Sequence, residues 1–175
     1  MAIFHILSVF RNLTWSHLAA RSGNADQWLE AHKYATMTAH NPSGYILGVI
    51  GLGNIGLRIA QKAYQAFGMQ IYYHDIVKKS DDIEKSIGAT YAATLDELLA
   101  KADCIVLATP FGGKKLINAE TLAKFKPGSR FVNIARGTLV DEEALVEALK
   151  SEHLFAAGLD VFIAGLQIQQ GGGLR

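Results

Sequence analysis

The chain has 175 residues, of which 50% are hydrophobic and 19% are charged, and its formal net charge is +1. This length predicts one compact domain that buries roughly two thirds of its unfolded surface, and the near-neutral charge argues against a nucleic-acid partner. No run approaches the roughly 20 apolar residues that span a bilayer, so we expect no membrane partner. The single cysteine, Cys104, excludes an internal disulfide framework, and we expect a buried, unreactive thiol in a cytoplasmic protein.

The first 44 residues are predicted to form two leading helices. The stretch "MAIFHILSVFRNLTWSHLAARSG" predicts one long helix that is apolar on most of its circumference and is closed by Gly23. Such a helix needs burial on more than one side, so it is either a core helix or packs partly against another subunit, and the sequence leaves both open. The stretch "NADQWLEAHK" predicts a second, short helix, followed by the polar loop "MTAHNPSG".

From residue 45 onward, short apolar runs alternate with amphipathic segments. The predicted strands are "YILGVI", "MQIYYH", "CIVLA", "RFVNIA" and "LFAAGLDVF". The predicted helices are "NIGLRIAQKAYQAF", which stops at Gly68, "TLDELLAKA", "AETLAKF" and "DEEALVEALK". Strands separated by helices predict a parallel sheet with helices on both faces, a doubly wound α/β fold. The three acids that open the last helix suit its dipole, and we interpret them as a solvated face.

Three glycines follow the first predicted strand in a spacing that binds phosphate. In "GVIGLGNIGLRIA", Gly51, Gly53 and Gly56 form G-x-G-x-x-G between a strand and a helix. Gly51 permits a tight turn, Gly53 lets the backbone approach a pyrophosphate, and Gly56 lets helix and strand pack closely. The helix N–H groups then face the anion. This context favours a Rossmann-type dinucleotide site over a turn that binds no ligand.

An acid follows at the place where the dinucleotide motif requires one. Asp75 lies nineteen residues after Gly56, at the end of "IYYHD", where it would accept hydrogen bonds from the adenosine ribose. An acid there repels the extra phosphate of NADP, whereas Lys78 and Lys79 close by would attract it. We therefore expect NAD, with NADP as the less favoured cofactor. His74 is expected at the rim of the adenosine end.

The second half of the chain separates this motif from a methyltransferase. The blocks "GLGNIG", "ATP", "LINAETLAKFKPGSRFVNIARGTLVDEEALVEAL" and "AAGLDVF" together resemble the D-isomer-specific 2-hydroxyacid dehydrogenase family. The first half, "HILSVFRNLTWSHLAARSG" through "TAHNPSGYILGVIGLGNIG", looks most like its fungal members. The resemblance covers about residues 2–162. It implies hydride transfer between a nicotinamide cofactor and small 2-keto or D-2-hydroxy acids.

The resemblance also implies a role for each matching residue. Arg136 in "NIARG" would bind the substrate carboxylate and carbonyl as the catalytic cation, which agrees with the bidentate geometry of a guanidinium. Asp160 in "GLDVF" would contact the nicotinamide carboxamide. The remaining cofactor-binding positions would be Gly51, Gly53, Asn54, Ile55 and Gly56 for the pyrophosphate, Asp75 for the ribose, and Thr109 and Pro110 for the adenine side. No metal site is predicted.

The family pattern also predicts parts that the sequence lacks. The resemblance implies a proton-donating histidine and a partner glutamate beyond "GLDVF", but "IAGLQIQQGGGLR" contains neither. All six histidines precede this point, and we interpret them as surface or helix-packing residues. The loop "TPFGGKKLI" replaces the family's threonine-bearing turn with Gly112 and Gly113. We expect a truncated cofactor domain over 1–162, with leading helices at 1–44, a core at 45–162, a disordered tail at 163–175 and no substrate domain.

Two functional hypotheses follow. In the first, the polypeptide belongs to an NAD-dependent oxidoreductase that interconverts 2-keto acids and D-2-hydroxy acids. In the second, the chain is a catalytically incomplete NAD(H)-binding module that dimerises through its first helix and does not turn over. We also expect a destabilised sheet edge and exposed apolar surface on the first helix.

Overall fold

The computed structural model describes residues 1–110 and 112–163, and these contain eight α-helices and six strands. The helices are α1 (Ala2–Arg11), α2 (Leu13–Arg21), α3 (Ala25–Thr38), α4 (Asn54–Phe67), α5 (Asp81–Ser86), α6 (Leu95–Lys101), α7 (Ala119–Leu122) and α8 (Glu142–Lys150), with a 3-10 turn at Gly137–Leu139. The strands are β1 (Ile46–Ile50), β2 (Gln70–His74), β3 (Ala89–Tyr91), β4 (Cys104–Leu107), β5 (Ser129–Asn133) and β6 (Leu154–Leu159). Within these described ranges, no helix has the length and apolar character needed to cross a bilayer.

All six strands run parallel in one sheet of order β3-β2-β1-β4-β5-β6. Successive side chains of a strand point to opposite faces, and the apolar residues here divide accordingly into two cores. The first core holds Leu47, Val49, Cys104, Val106 and Val132 with buried residues of α1 and α4. The second holds Ile50, Ile105, Leu107 and Phe131 with buried residues of α6, α7 and α8. The predicted doubly wound parallel α/β fold is confirmed.

The predicted single long helix at the start of the chain is wrong. The helix breaks at Asn12, which adopts a left-handed conformation with φ 54°, and α1 and α2 lie on either side of it. Asparagine tolerates this conformation better than most residues with a side chain. The Asn12 side-chain Nδ2 donates to Thr38 Oγ1 at 3.0 Å, so a contact from the end of α3 supports the break.

Two further differences concern short elements. The second leading helix is longer than predicted, since α3 includes the first residues of the polar stretch "MTAHNPSG" and ends at Thr38. The sequence prediction also omitted α5 and the three-residue strand β3, because segments this short do not establish a period. Of the predicted tail, residues 164–175 lie outside the described residues.

The two leading helices differ in how much of their apolar surface they bury. On α1, Ile6, Val9 and Phe10 are buried against the sheet, whereas Phe4 is 49% exposed. On α2, Leu18 is 60% exposed. One face of α1 is therefore buried in the core, apolar surface remains exposed on both helices, and packing against another subunit stays a prediction.

A buried arginine fastens α1 to the sheet. Arg130 on β5 is 5% exposed, and its Nε donates to the Val9 carbonyl at 3.0 Å. Its guanidinium carbon lies 4.4 Å from the ring centre of Phe10 and 4.7 Å from that of Phe155. Burial lowers the pKa of Arg130, which nevertheless stays charged. The cation thus satisfies a carbonyl at the C-terminal end of α1, where no helical N–H is available.

We predict that Arg130→Met lowers the free energy of unfolding by about 1–3 kcal/mol, because it removes a charge-assisted hydrogen bond and leaves the Val9 carbonyl unpaired. The matched control is Arg21→Met, at an exposed arginine in the last turn of α2, which we expect to change stability by less than about 0.5 kcal/mol. Urea unfolding followed by circular dichroism measures both. Equal stability of the two variants would contradict the role of Arg130.

Candidate dinucleotide site

The predicted site residues follow the carboxyl ends of parallel strands, which meet at one edge of the sheet. From β1 the chain proceeds to β2 and β3 on one side, then returns to β4, β5 and β6 on the other. The winding direction therefore reverses between β1 and β4. In such sheets, a crevice for ligands opens outside the strand ends at this reversal.

The glycine loop lies at the point where the winding direction reverses, and the surroundings differ at each of its three glycines. Gly51 has φ 91°, and a Cβ on it would lie 3.0 Å from the backbone nitrogen of Thr109. A Cβ on Gly56 would collide with the carbonyl oxygen of Gly51, so α4 crosses the strand end at backbone distance. At Gly53, by contrast, no heavy atom lies within 4 Å of the Cβ position. The loop is therefore tightly packed at its first and third glycines and open at its second.

The start of α4 faces this open space. Gly53 is the N-cap of α4 and no side chain caps the helix there. Asn54 and Ile55 form its first turn, and both are exposed. The first N–H groups of a helix lack intrahelical partners and carry partial positive charge, a combination that binds phosphate. The exposed turn, the missing side-chain cap and the open space at Gly53 fit a pyrophosphate.

Asp75 is hydrogen-bonded to the glycine loop. Its Oδ2 accepts from the Leu52 N–H at 2.8 Å and lies 3.4 Å from Lys79 Nζ. The Tyr91 hydroxyl donates to the Asp75 carbonyl at 3.4 Å. The carboxylate is only 16% exposed, so these contacts hold it at the end of β2 beside the loop.

Both lysines that follow Asp75 are paired with acids. Lys79 lies against Asp75, whereas Lys78 Nζ lies 3.5 Å from Glu84 and 3.6 Å from Asp81. The carboxylates of Glu84, chiefly, and of Asp81 raise the pKa of Lys78. The positive charge near Asp75 is therefore largely balanced.

An exposed apolar residue beside Asp75 did not enter the sequence prediction. Ile76 is 97% exposed and its neighbour Val77 is 62% exposed, directly after β2. Apolar side-chain surface is therefore exposed to solvent next to Asp75. The signal was present in the sequence as "IV" between two polar stretches, but a pair of residues has no period.

Thr109 lies next to the glycine loop, and Pro110 follows it in the chain after β4. The Ala108 N–H donates to the Ile50 carbonyl at 2.9 Å, which holds the ends of β4 and β1 together. Thr109 is half-buried against Gly51, and Pro110 is exposed. Gly112 and Gly113 follow with open space at both Cβ positions.

Arg136 is presented by a hydrogen-bonded turn after β5. The exposed guanidinium donates through Nη1 to the Ala135 carbonyl at 2.7 Å. Asn133 organises this turn: its Nδ2 donates to the Arg136 carbonyl at 3.1 Å, and its Oδ1 accepts from the Ala135 N–H at 3.0 Å. Asn133 is 1% exposed, and the sequence prediction had not given it a role. In the sequence, the one indication of this role was an amide side chain at the end of an apolar strand.

Asn133 also joins Asp160 to the same edge. The Asp160 N–H donates to the Asn133 carbonyl at 3.0 Å, so the chain leaving β6 is tied to the end of β5. Further along, a Cβ on Gly137 would lie 2.8 Å from the Ile163 nitrogen, which shows how closely the two segments pack. The structure thus brings the "NIARG" and "GLDVF" blocks together.

The first turn of α8 takes part in this packing, while its acids remain at least partly exposed to solvent. Glu142 is half-buried, and its Oε1 accepts from the Ile163 N–H at 2.7 Å. Asp141 is the N-cap and accepts a hydrogen bond from the Ala144 N–H. This hydrogen bond is the main cause of the lowered pKa of Asp141. Of the three acids, Glu143 is the exposed one.

A parallel sheet with a glycine loop at its reversal point and an acid after its second strand defines a nucleotide-binding α/β domain of the Rossmann type. Comparison with known proteins identifies the family. Residues 3–166 match the family described as "D-isomer specific 2-hydroxyacid dehydrogenase, NAD binding domain", and the chain belongs to that family. Its cofactor is therefore a nicotinamide nucleotide.

Relatives with known names agree with this assignment. The chain is 38% identical over 164 residues to a glyoxylate reductase of Thermococcus onnurineus and equally to the dehydrogenase efuE of Hormonema carpetanum, covering 93% of this chain in both cases. It covers 48% and 39% of those two proteins, respectively. The solved holo structure of Rhodotorula graminis D-mandelate dehydrogenase is 40% identical with a TM-score of 0.92, over 97% of this chain and 50% of that one. The chain thus spans about half the length of these relatives or less.

We predict that Gly56→Ala lowers the free energy of unfolding by about 2–4 kcal/mol, because the new methyl group overlaps the Gly51 carbonyl and forces α4 from the strand end. Gly53→Ala is the matched control, since its φ of −75° suits alanine and its Cβ position is open. We expect that control to stay within about 1 kcal/mol of the parent chain. Thermal and urea unfolding give both values, and similar losses in the two variants would contradict the packing role of Gly56.

Proposed function

We propose that residues 1–162 form the dinucleotide-binding domain of an NAD-dependent oxidoreductase that interconverts 2-keto acids and D-2-hydroxy acids. Residues 1–44 are its leading helices and residues 45–162 its core. The observation that carries the proposal is the single edge of the sheet at which the open glycine loop, Asp75, Arg136 and Asp160 follow the ends of four strands. The relatives named above include a glyoxylate reductase and a D-mandelate dehydrogenase, which supports this chemistry.

The adenosine half of the cofactor binds at the β1 and β2 ends. Backbone N–H groups of Gly53, Asn54 and Ile55 hold the pyrophosphate, while Gly51 and Gly56 maintain the close packing that presents them. Asp75 accepts hydrogen bonds from the ribose through Oδ1, because its Oδ2 already contacts Leu52 and Lys79. Ile76 covers one face of the adenine, and Thr109 and Pro110 line the opposite side.

The cofactor is NAD and not NADP, because the charge balance opposes an additional phosphate. Asp75 is half-buried and negatively charged where that phosphate would lie. Lys79 is paired with Asp75, and Lys78 is paired with Asp81 and Glu84. To interact with Lys78 or Lys79, the additional phosphate of NADP would have to displace the carboxylates with which these lysines are paired.

The substrate end lies at β5 and β6. From β2 to β5 the sheet crosses three strand spacings, about 14 Å, which separates the ribose acid from the substrate cation. The bound nicotinamide supplies or accepts the hydride. Arg136 binds the substrate carboxylate with its planar fork of donors and polarises the C2 carbonyl. Asp160 accepts from the carboxamide and so orients the ring beside Arg136.

We predict that the purified chain binds NADH at least about tenfold more tightly than NADPH, because of the repulsion by Asp75. Gly53→Ala, whose fold we expect to persist, weakens NADH binding by about tenfold or more, because its methyl group enters the open space that the pyrophosphate needs. Fluorescence titration measures both. Failure of the folded parent chain to bind either nucleotide would overturn the proposed function, and equal affinities would overturn the NAD preference.

A second candidate is a module that binds NAD(H) without turnover. Reduction of a keto acid needs a proton as well as a hydride. The family resemblance assigns the proton to a histidine beyond Phe162, and the chain has no histidine there. Among the described residues, the one histidine–carboxylate contact within 4.0 Å joins His5 to Asp160.

Turnover separates the two candidates. Loss of NADH absorbance that depends on an added 2-keto acid, such as glyoxylate or phenylglyoxylate, supports the oxidoreductase, and its absence supports the module. Where turnover occurs, we predict that Arg136→Lys lowers kcat/KM by about a hundredfold, because an ammonium does not reproduce the bidentate contact. NADH affinity remains within about twofold, since Arg136 binds substrate and not nucleotide. An unaltered kcat/KM would contradict the role of Arg136.

The assembly is proposed to be a homodimer that forms through the first helices. Exposed Phe4 on α1 and exposed Leu13 and Leu18 on α2 supply apolar area for such a contact. A cytoplasmic location is likewise proposed. The free thiol of Cys104, buried on β4 with its pKa raised by burial to about 12, is compatible with it.

A further inference from the structure

His5 lies against the strand that leads to Asp160. It sits on α1, and its imidazole packs on the backbone of β6 at Gly158. A Cβ on Gly158 would lie 2.9 Å from the His5 Cβ and 3.2 Å from its Nδ1, so only glycine leaves room for the ring there. Asp160 follows two residues after Gly158, at the carboxyl end of the strand. The helix therefore places an imidazole beside the proposed nicotinamide-orienting carboxylate.

One ring nitrogen of His5 has no hydrogen-bond partner. Nε2 is buried and unpaired among the described residues, and the side chain as a whole is 14% exposed. Buried polar atoms are nearly always paired, because an unpaired one loses its hydrogen bonds to water without replacement. A residue that only filled space between α1 and β6 would not need this nitrogen. The unpaired Nε2 is explained if the site supplies a hydrogen-bond partner for it in another state, such as the nucleotide-bound state.

The Asp160 carboxylate is the group that Nε2 faces. Oδ1 lies 4.0 Å from Nε2, which is too long for a hydrogen bond but about 1 Å from one. The Asp160 side chain is 33% exposed, so it has room to turn. Its backbone N–H donates to the Asn133 carbonyl, which fixes the main chain without constraining the side chain.

Burial favours the neutral form of the imidazole. Burial is the largest effect and lowers the pKa of His5, Asp160 raises it, and the amino group of Met1 lowers it. A neutral imidazole carries one N–H, and it can donate to a carboxylate from Nε2 only in the tautomer protonated there. The ring is thus suited to donate a hydrogen bond without adding a positive charge to the site.

We infer that His5 is a positioning residue for Asp160: its Nε2–H donates to Oδ1 when the nucleotide is bound and leaves Oδ2 to accept from the nicotinamide carboxamide. This inference rests on the proposed function of Asp160. A carboxylate with one oxygen held by a fixed donor loses rotational freedom, so its second oxygen points in one direction. His5 acts through Asp160 and does not touch the reacting atoms.

The first arm of the test needs no nucleotide. Long-range proton–nitrogen spectra of the labelled full chain report the tautomer and the pKa of His5. We expect a neutral ring protonated at Nε2, and we expect Asp160→Asn to lower the pKa of His5, because the carboxylate that raises it is gone. His153 is the internal control, since it lies at the amino end of β6 and its Nε2 is 3.0 Å from the Leu122 carbonyl. A ring protonated at Nδ1, or a pKa of His5 that Asp160→Asn leaves unchanged, overturns the pairing.

The second arm is a double-mutant cycle on NADH affinity. His5→Leu is expected to weaken NADH binding by about tenfold in the parent chain and by less than about twofold in Asp160→Asn. His5→Gln, which retains a donor, recovers part of the affinity. His153→Leu is the matched control and leaves the affinity within about twofold. Equal factors for His5→Leu in both backgrounds would show a merely structural role and overturn the inference.

The two arms also separate this inference from the proposed function. A folded parent chain that binds no NADH refutes the proposed function, and the spectra still decide whether His5 pairs with Asp160. A parent chain that binds NADH while His5→Leu binds it equally well refutes the inference alone. Circular dichroism and thermal unfolding of every variant ensure that affinities are compared between folded proteins.

Discussion

The close approach of α4 to the end of β1 is the constraint on which the site depends. Gly56 meets the Gly51 carbonyl with no room for a side chain, so the helix axis is fixed relative to the strand at backbone distance. That contact aims the uncapped first turn of α4 at the space beside Gly53. A wider crossing, as any side chain at Gly56 would require, turns the N–H groups away from the position where a phosphate gains from them.

Hydrogen bonds at the strand ends turn separate loops into one surface. Asp75 accepts from Leu52 and so ties the β2 end to the glycine loop. Asn133 performs the corresponding task at β5, where it holds the Arg136 turn and accepts from the Asp160 N–H. Each loop is therefore supported by its neighbour, which is how a site on irregular backbone gains the precision that substrate and cofactor geometry require.

The first helix takes part in both the fold and the proposed chemistry. Near its C-terminal end, Arg130 from β5 satisfies the Val9 carbonyl between the rings of Phe10 and Phe155. One turn from its N-terminal end, His5 faces Asp160. Both contacts join α1 to the β5–β6 side of the sheet. We therefore expect the docking of α1 and the orientation of the Asp160 side chain to depend on each other.

Local sequence determined the elements whose signals lie within a few residues. The helix α4 begins and ends where the glycines predict, since Gly53 is its N-cap and Gly68, with φ 63°, closes it. The parallel sense of the sheet and its doubly wound class followed from alternating elements, whereas the strand order came from the structure; the glycine loop with Asp75 marked the crevice. Only the tertiary structure decided the break at Asn12, the tie from Asn133 to Asp160, the tie from Glu142 to Ile163 and the placement of His5 beside Asp160. These features join atoms from segments that are distant in sequence, and their geometry exists only after the helices have packed on the sheet. The residues adjacent to a position in the sequence do not indicate which distant residue it will contact in the folded chain.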